Sequence, residues 1–406
     1  MRPGAGRMKI RFAPPRALAN LSLDLNRGQG LMLADHEGEG GACGSGSGSG
    51  GGAWREEGPT LLLLALTYAL WLWAISGLWQ VSPLLAVLLA ALCATQHSSL
   101  QHEALHGHPT RYEALNHLLV FLPIGFFYPW LRFRDTHLAH HFDPALTDPW
   151  DDPESNYLDP GVWQALPRWR QALLRLNNTL AGRMLLGPLI GWLSFIAGDL
   201  RLIRAGDRRV RLGWMLHGAG LVLVLALLWS LGGMGVWPWL ISCYLAAAIL
   251  KIRTFLEHRA HAAFRARTVV VEDRGPLAFL FMNNNLHVVH HMHPSLPWHR
   301  LPKVYAGKKQ HYLRRNEQYL YQSYAGIFRR YFLRAKDPVP HPVWPVLPGR
   351  GSEDAVKLRS AAGIVEEGHA GLAAAAEQIA DLAEHDLGDE GQIKRPRLGQ
   401  TYPVQM

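Results

Sequence analysis

The sequence predicts an all-α integral membrane protein: four transmembrane helices in two hairpins, with a histidine-rich cap on the cytoplasmic face. Three observations predict it. Uncharged runs recur at lengths that cross a bilayer, arginines collect on one side of them, and histidines repeat in helical register. The chain has 406 residues and 21 histidines. His137-Leu138-Ala139-His140-His141 and His287-Val288-Val289-His290-His291 are two copies of one pattern, and His102-Glu103-Ala104-Leu105-His106 is a looser third. One such H-x-x-H-H is expected roughly 0.05 times by chance in a chain of this composition, so two copies argue for function.

Taken in order, residues 1–57 read as a disordered extension, since Gly44 to Gly52 is only Gly and Ser. No apolar stretch precedes an A-x-A site there, so no cleavable signal peptide is expected. The membrane domain is expected over 58–345. Thr60 to Trp79 carries no charge, and about 20 such residues at 1.5 Å rise cross the ~30 Å hydrocarbon core. Gln80 to Pro83 is a turn, and Leu84 to Leu100 is a second span. Asn116 to Trp130 is short and broken by Pro123, Gly125 and Pro129, which predicts an interfacial or re-entrant segment. Met184 to Ala197, with Gly187-Pro188 inside it, reads the same way. Leu212 to Leu231 and Val236 to Leu250 are the third and fourth spans, joined by Gly232-Gly233-Met234-Gly235.

Two hairpins return the chain to its starting side, so all three histidine segments share one face. Arg201, Arg204, Arg208, Arg209, Arg211, Lys251, Arg253 and Arg259 fall on that face, and both opposite turns are uncharged. Positive charge marks the cytoplasmic side. Leu301 to Ala335 intersperses aromatics with Lys and Arg and reads as an amphipathic helix, either lying on the membrane surface or packed as a cap. Residues 346–406 read as a mostly disordered tail, with a short Ala-rich helix over His369 to Glu384.

The net charge of +9 does not form the single basic stripe that a nucleic-acid surface needs, because the arginines flank apolar runs. Cys43, Cys93 and Cys243 are too few and too scattered for a disulfide framework, and no C-x-x-C occurs. Cys93 and Cys243 read as small apolar residues within helices.

Residues four apart lie on one helical face. His102 with His106, His137 with His141, and His287 with His291 therefore each present two imidazoles to a common centre. With His140 and His290 the three segments offer eight imidazoles, too many for one tetrahedral zinc or for heme axial ligation, but suited to two metal ions. Ligand type alone leaves iron, zinc, copper and nickel open.

H-x-x-x-H followed by two H-x-x-H-H boxes, with membrane hairpins between them, resembles the membrane fatty acid desaturase superfamily over roughly residues 59 to 345. The runs Gly107 to Arg111, Leu146 to Pro149 and Asp151 to Ser155 are similar to those of bacterial members. Pro297-Trp298-His299-Arg300-Leu301-Pro302 is similar to the segment that follows the third box in carotenoid ketolases. The first box carries Glu103 where many relatives have Asp.

The resemblance implies a di-iron centre that uses O2 to attack an unactivated C–H bond. The implied metal-binding and catalytic residues are His102, His106, His137, His140, His141, His287, His290 and His291. His258 joins them because the family often has a histidine just after its fourth membrane helix. The implied reaction is desaturation of a lipid or acyl chain. Hydroxylation or ketolation of a carotenoid or lipid, and desaturation of a small amino-acid-like metabolite, are the alternatives. The setting implied is the bacterial inner membrane with both termini cytoplasmic.

Desaturation needs two external electrons. The chain has no cysteine quartet for an iron–sulfur cluster, no G-x-G-x-x-G nucleotide turn and no cytochrome b5-like motif. A ferredoxin- or rubredoxin-type donor with its reductase is therefore expected, docking on the basic face. Glu103, Asp135, Asp148, Asp151, Asp152, Glu257 and Asn283 to Asn285 are candidates to orient the imidazoles, Asn283 first among them because it lies four residues before His287. His97, His108, His261 and His293 read as satisfied polar residues near the site.

Overall fold

The computed structural model describes residues 51–142 and 145–344. The expected extension up to residue 50, and the tail from 345 with its short helix, lie outside the described residues. Helix α1 (Gly51–Trp73) begins inside the stretch expected to be disordered. It continues through a π-helical turn, Ala74–Leu78, to a last helical piece at Trp79–Val81. Helix α2 (Pro83–Leu105) starts where Ser82 caps Leu85 N–H and Pro83 takes the first helical position, where a missing N–H costs nothing.

Short α3 (Glu113–Leu119) leads into an irregular stretch and then α4 (Trp130–His140). That stretch matches the broken segment the sequence predicts, and it enters the bundle. Ile124 is fully buried among Trp71, Val224 and Trp239, and its carbonyl accepts from Trp239 Nε1 at 3.2 Å. Non-helical backbone at such depth is stable only where protein satisfies it. Gly220 makes room for it, because a Cβ there would lie 2.7 Å from Pro123 Cδ.

Helix α5 (Arg168–Asn177) precedes α6 (Leu180–Arg204), α7 (Arg208–Ser230) and α8 (Val236–Thr254). Helix α6 differs from the expectation. One 25-residue helix replaces the short segment read over 184–197, giving, among the described residues, five helices long and apolar enough to cross a membrane where four were expected. Arg183 and Asp199 made the apolar run look short, yet both are buried and partnered inside the protein. Both ends of α6 touch the histidine-bearing end of the bundle. Ala181 N–H donates to Phe332 O at 2.9 Å near its start, and Asp199 pairs with Arg132 of α4 at 2.9 Å near its end.

At the opposite end the two hairpin tips meet. Gln80 Nε2 donates to Gly232 O at 3.3 Å, and Met234 N–H donates to Ile75 O at 2.7 Å. A Cβ on Gly233 would sit 1.9 Å from Ile75 O, so only glycine fits. Between the ends, Ala86, Ala90, Cys93 and Ala94 of α2 pack with Cys243 and Ala246 of α8. Small residues let helix backbones approach where lipid offers no hydrophobic drive to associate. The outward faces carry exposed Leu66, Leu88, Leu92, Leu223 and Trp229.

Beyond α8 the chain folds over the histidine end as a cap. Strands β1 (Val270–Val271) and β2 (Leu320–Tyr321) pair in parallel, and helix α9 (His287–Met292) packs beside β1. The single amphipathic helix expected over 301–335 is instead three short helices, α10 (Leu301–Gly307), α11 (Lys309–Arg315) and α12 (Tyr324–Tyr331), with β2 between them. Tyr312, Tyr319, Tyr324, Ile327 and Tyr331 are buried, so this segment is a packed cap and not a surface helix. Left-handed backbone at Glu317 and Gln318 (φ 50° and 57°) ends the helical path.

Candidate metal centre

Nine imidazoles converge at the junction of bundle and cap. His102 lies in the last turn of α2 and His106 caps it. His137 and His140 lie on α4 with His141 as its cap. His287, His290 and His291 lie on α9, and His258 follows α8, held by a backbone bridge to Thr268. One ring nitrogen from each of His102, His106, His137, His141 and His290 falls within 4.8 Å of the others, and the same holds for His140, His258, His287 and His291. Each i,i+4 pair stays within one group. The middle histidine of each H-x-x-H-H box crosses to the other group, because a residue three along a helix stands about 60° short of a full turn. The residues brought together are the nine the sequence points to.

Hydrogen bonds from behind aim the rings. His137 Nδ1 meets Glu154 Oε1 at 2.9 Å, His140 Nδ1 meets Asp152 Oδ1 at 2.8 Å, and His287 Nδ1 meets Asn284 Oδ1 at 2.9 Å. Each contact fixes the ring through Nδ1 and turns Nε2 inward, toward the other imidazoles. In the four-histidine group, His258 Nε2 lies 2.8 Å from His140 Nε2 and 3.1 Å from His287 Nε2. In the five-histidine group, His141 Nε2 lies 3.0 Å from His137 Nε2 and 3.1 Å from His290 Nε2. Two ligands of one ion at bonds of about 2.0–2.1 Å keep roughly this separation. His102 Nε2 and His106 Nε2 are buried without a hydrogen-bond partner among the described residues, as expected of atoms meant for a metal.

The electrostatics favour lone pairs over protons at most positions. Burial, reinforced by neighbouring imidazoles, lowers His106 to about 2 and holds His258, His287 and His290 well below the usual histidine range. His140 is the exception. Burial would lower it too, but Asp152 and Glu154 outweigh that and raise it to about 9. Glu154 is held down by His137 and His140 against the upward push of its own burial.

Among the candidate orienting residues, Asp152 reaches an imidazole, while Asn283 does not. Asn283 sits in left-handed backbone (φ 57°) and donates to Trp298 O at 3.1 Å. Its neighbour Asn284 takes the role, and in turn donates to Glu257 at 3.3 Å. Glu103 accepts from Trp298 N–H at 3.0 Å, tying the first box to the segment behind the third. Asp135 pairs with Arg134 and Arg209. Glu154 was not among the candidates, although its position two residues beyond Asp152 in a proline-broken acidic run was the available signal. His97, His108 and His293 bond to Tyr68 OH, Ser295 O and Tyr312 OH, outside both groups.

Asp152 also accepts Thr147 N–H at 2.8 Å and Glu154 N–H at 2.9 Å, so it fixes a loop as well as a ring. Asp152→Asn is expected to lower metal affinity by about 10–100-fold, the usual effect of losing such a support. Metal titration of the purified variant checks this, and an unchanged affinity would remove Asp152 from the site.

A beta-carotene ketolase from a Paracoccus species is 28% identical over 220 residues, covering 50% of this chain and 72% of the ketolase. A beta-carotene ketolase from a second Paracoccus strain is 28% identical over 274 residues, covering 61% of this chain and 93% of its own length. The family described as fatty acid desaturase matches residues 77–324, more than half of the chain and all nine histidines. This protein, an oxidoreductase-type membrane chain with two histidine clusters able to hold metal, belongs to the fatty acid desaturase family.

Proposed function

We propose that the protein is an O2-dependent di-iron enzyme that oxidises an unactivated C–H bond of a lipid chain. The observation that carries this reading is the five-plus-four division of buried imidazoles, with carboxylates behind two of them. Two iron ions held by these nine histidines would supply O2 activation. The chain's own residues aim the imidazoles, exclude bulk water by burial, and join the site to an apolar bundle.

The membrane arrangement proposed is four crossings, α1, α2, α7 and α8, with α6 lying along the cap side. Chain parity supports it. His140 and His258 meet at 2.8 Å, so an even number of crossings must separate them, and α7 with α8 supply two. A crossing by α6 would put His258 on the far side. The arginines at the histidine end support a cytoplasmic orientation for that end, with a bacterial inner membrane as the proposed setting.

Acyl-chain desaturation is the first reading of the reaction. Ketolation or hydroxylation of a carotenoid is the second, and the two Paracoccus relatives favour it. Lipid and pigment extracts from cells expressing wild type or His141→Ala, with a suitable reductant and a carotenoid supply, separate the two by mass spectrometry. An acyl product lighter by two hydrogens, absent from the variant, supports desaturation. A carotenoid that has gained oxygen moves the assignment to the second reading, and no difference in either pool sinks both.

The electron donor proposed is an acidic ferredoxin or rubredoxin docking on the basic face. Arg209 is largely exposed even while paired with Asp135. Charge reversal at Arg208 and Arg209 together is expected to raise the donor concentration for half-maximal turnover severalfold, with less effect at high salt. Turnover that ignores the reversal would place the donor elsewhere.

A further inference from the structure

Outside the metal centre, one cavity gathers cations without acids. It lies between α5, α6 and α8, is about 50 Å³, and exceeds the roughly 10–15 Å³ that one water needs on the same scale. Arg183 and Lys251 line it together with Ser155, Asn156, Asn177 and Asn178. Arg183 is buried, and among the described residues its side chain donates only to neutral oxygens: Asn177 O at 3.0 Å, Asn178 Oδ1 at 3.3 Å and Asn156 Oδ1. The Lys251 ammonium makes no hydrogen bond or ion pair with the other described residues.

The nearest carboxylates are engaged elsewhere. Glu154 is held by His137, Glu257 by Arg253 at 2.8 Å, and Asp337 by Lys336 at 2.6 Å. Two cations facing one cavity with no carboxylate in its lining are costly, and an anion between them lowers that cost. Asn177 Oδ1 is buried and unpartnered among the described residues at the same place, and its amide, turned about the last bond, offers an NH2 to an anion instead. Helix α6 keeps the space open with two glycines. A Cβ at Gly187 would meet Asn177 Oδ1 at 3.3 Å, and one at Gly191 would meet Lys251 Nζ at 3.4 Å.

We propose that this cavity binds a phosphate oxyanion, delivered on the headgroup of an anionic membrane lipid. The lipid source follows from position: α6 and α8 are apolar helices, and the cavity lies between the first half of α6 and the last turn of α8, at the histidine-bearing end of the bundle, where headgroups lie. Arg183 supplies a planar fork and Lys251 a point charge, a pairing suited to phosphate. The inference is independent of the chemistry at the iron site.

The test is calorimetric titration of the full-length protein, stripped of lipid in an uncharged detergent. The probes are short-chain phosphatidylglycerol, inorganic phosphate, and a diacylglycerol with the same chains. Phosphatidylglycerol is expected to bind saturably and diacylglycerol not to bind. Lys251→Gln should weaken phosphatidylglycerol about tenfold or more, the size of a lost charge-assisted hydrogen bond, and Lys251→Arg should retain binding. Gly191→Val keeps both charges but fills the space, and should weaken binding as well. Each variant is first matched to wild type in elution profile and metal content, so that misfolding is not read as lost binding. Equal binding of diacylglycerol, or indifference to both Lys251→Gln and Gly191→Val, overturns the site. Inorganic phosphate binding as tightly, with the same dependence on Lys251, keeps the oxyanion pocket but overturns the lipid as its source.

Discussion

His258→Ala is expected to lower bound iron from about two ions per chain to about one, while His106→Ala lowers it much less. The contrast follows from the division of ligands. His258 is one of four imidazoles in its group and lies between His140 and His287, at 2.8 and 3.1 Å. Removing it leaves three donors with a gap in their middle. His106 is one of five, so its loss still leaves a set of four. Burial and the neighbouring imidazoles hold His258 well below the usual histidine range, which favours the neutral ring with one nitrogen lone pair for the metal. Elemental analysis of both variants, purified under identical iron supply, makes the comparison. Equal losses, or no loss at His258, would break the five-plus-four assignment. A retained second iron should leave the His258→Ala protein folded but with turnover reduced by orders of magnitude, because O2 activation as proposed needs both ions.

The ligand set was legible in the sequence because helical spacing is local. Two imidazoles four residues apart face one way whatever the tertiary structure, and the structure keeps each such pair together. The assignment of His140 and His290 to opposite groups was not legible, since it depends on how α4 and α9 are rotated about their axes. The orienting residues divide in the same manner. Asp152 lies close to His140 in sequence and was within reach of inspection, whereas Asn284 displaced Asn283 because left-handed backbone at Met282 and Asn283 turns the chain before α9. A four-residue spacing argument assumes a continuous helix, and here the helix starts only at His287.

The hairpins were legible for a different reason. Lipid forbids unsatisfied backbone, so long apolar runs have one solution. Where protein replaces lipid as the surroundings, that inference weakens. Helix α6 carries Arg183 and Asp199 within an otherwise apolar run, and the cap breaks a continuous amphipathic pattern into α10, α11, β2 and α12. In both cases tertiary partners decide what the local pattern leaves open.

Asp199→Ala is expected to destabilise the protein by about 3–5 kcal/mol, the effect of stranding one buried charge. Asp199 accepts Arg132 Nε at 3.0 Å and Arg132 NH2 at 2.9 Å, and Trp214 Nε1 donates to it at 2.8 Å. Both side chains of the ion pair are almost fully buried. The contact therefore ties α4, α6 and α7 together one and a half turns from His137, and the alanine variant leaves a guanidinium and an indole N–H without partners. Thermal or denaturant unfolding in detergent should show the loss, together with weaker iron retention at the five-histidine group. The paired change Arg132→Met with Asp199→Leu should recover most of the stability, since a buried ion pair replaced by apolar groups of similar volume is often neutral. A single Asp199→Ala variant within about 0.5 kcal/mol of wild type, the range of ordinary surface changes, would show that water reaches this contact. Recovery of stability without recovery of iron retention would separate the two roles: the fold would need only a filled space there, and the metal centre would need the guanidinium itself to set the angle of α4.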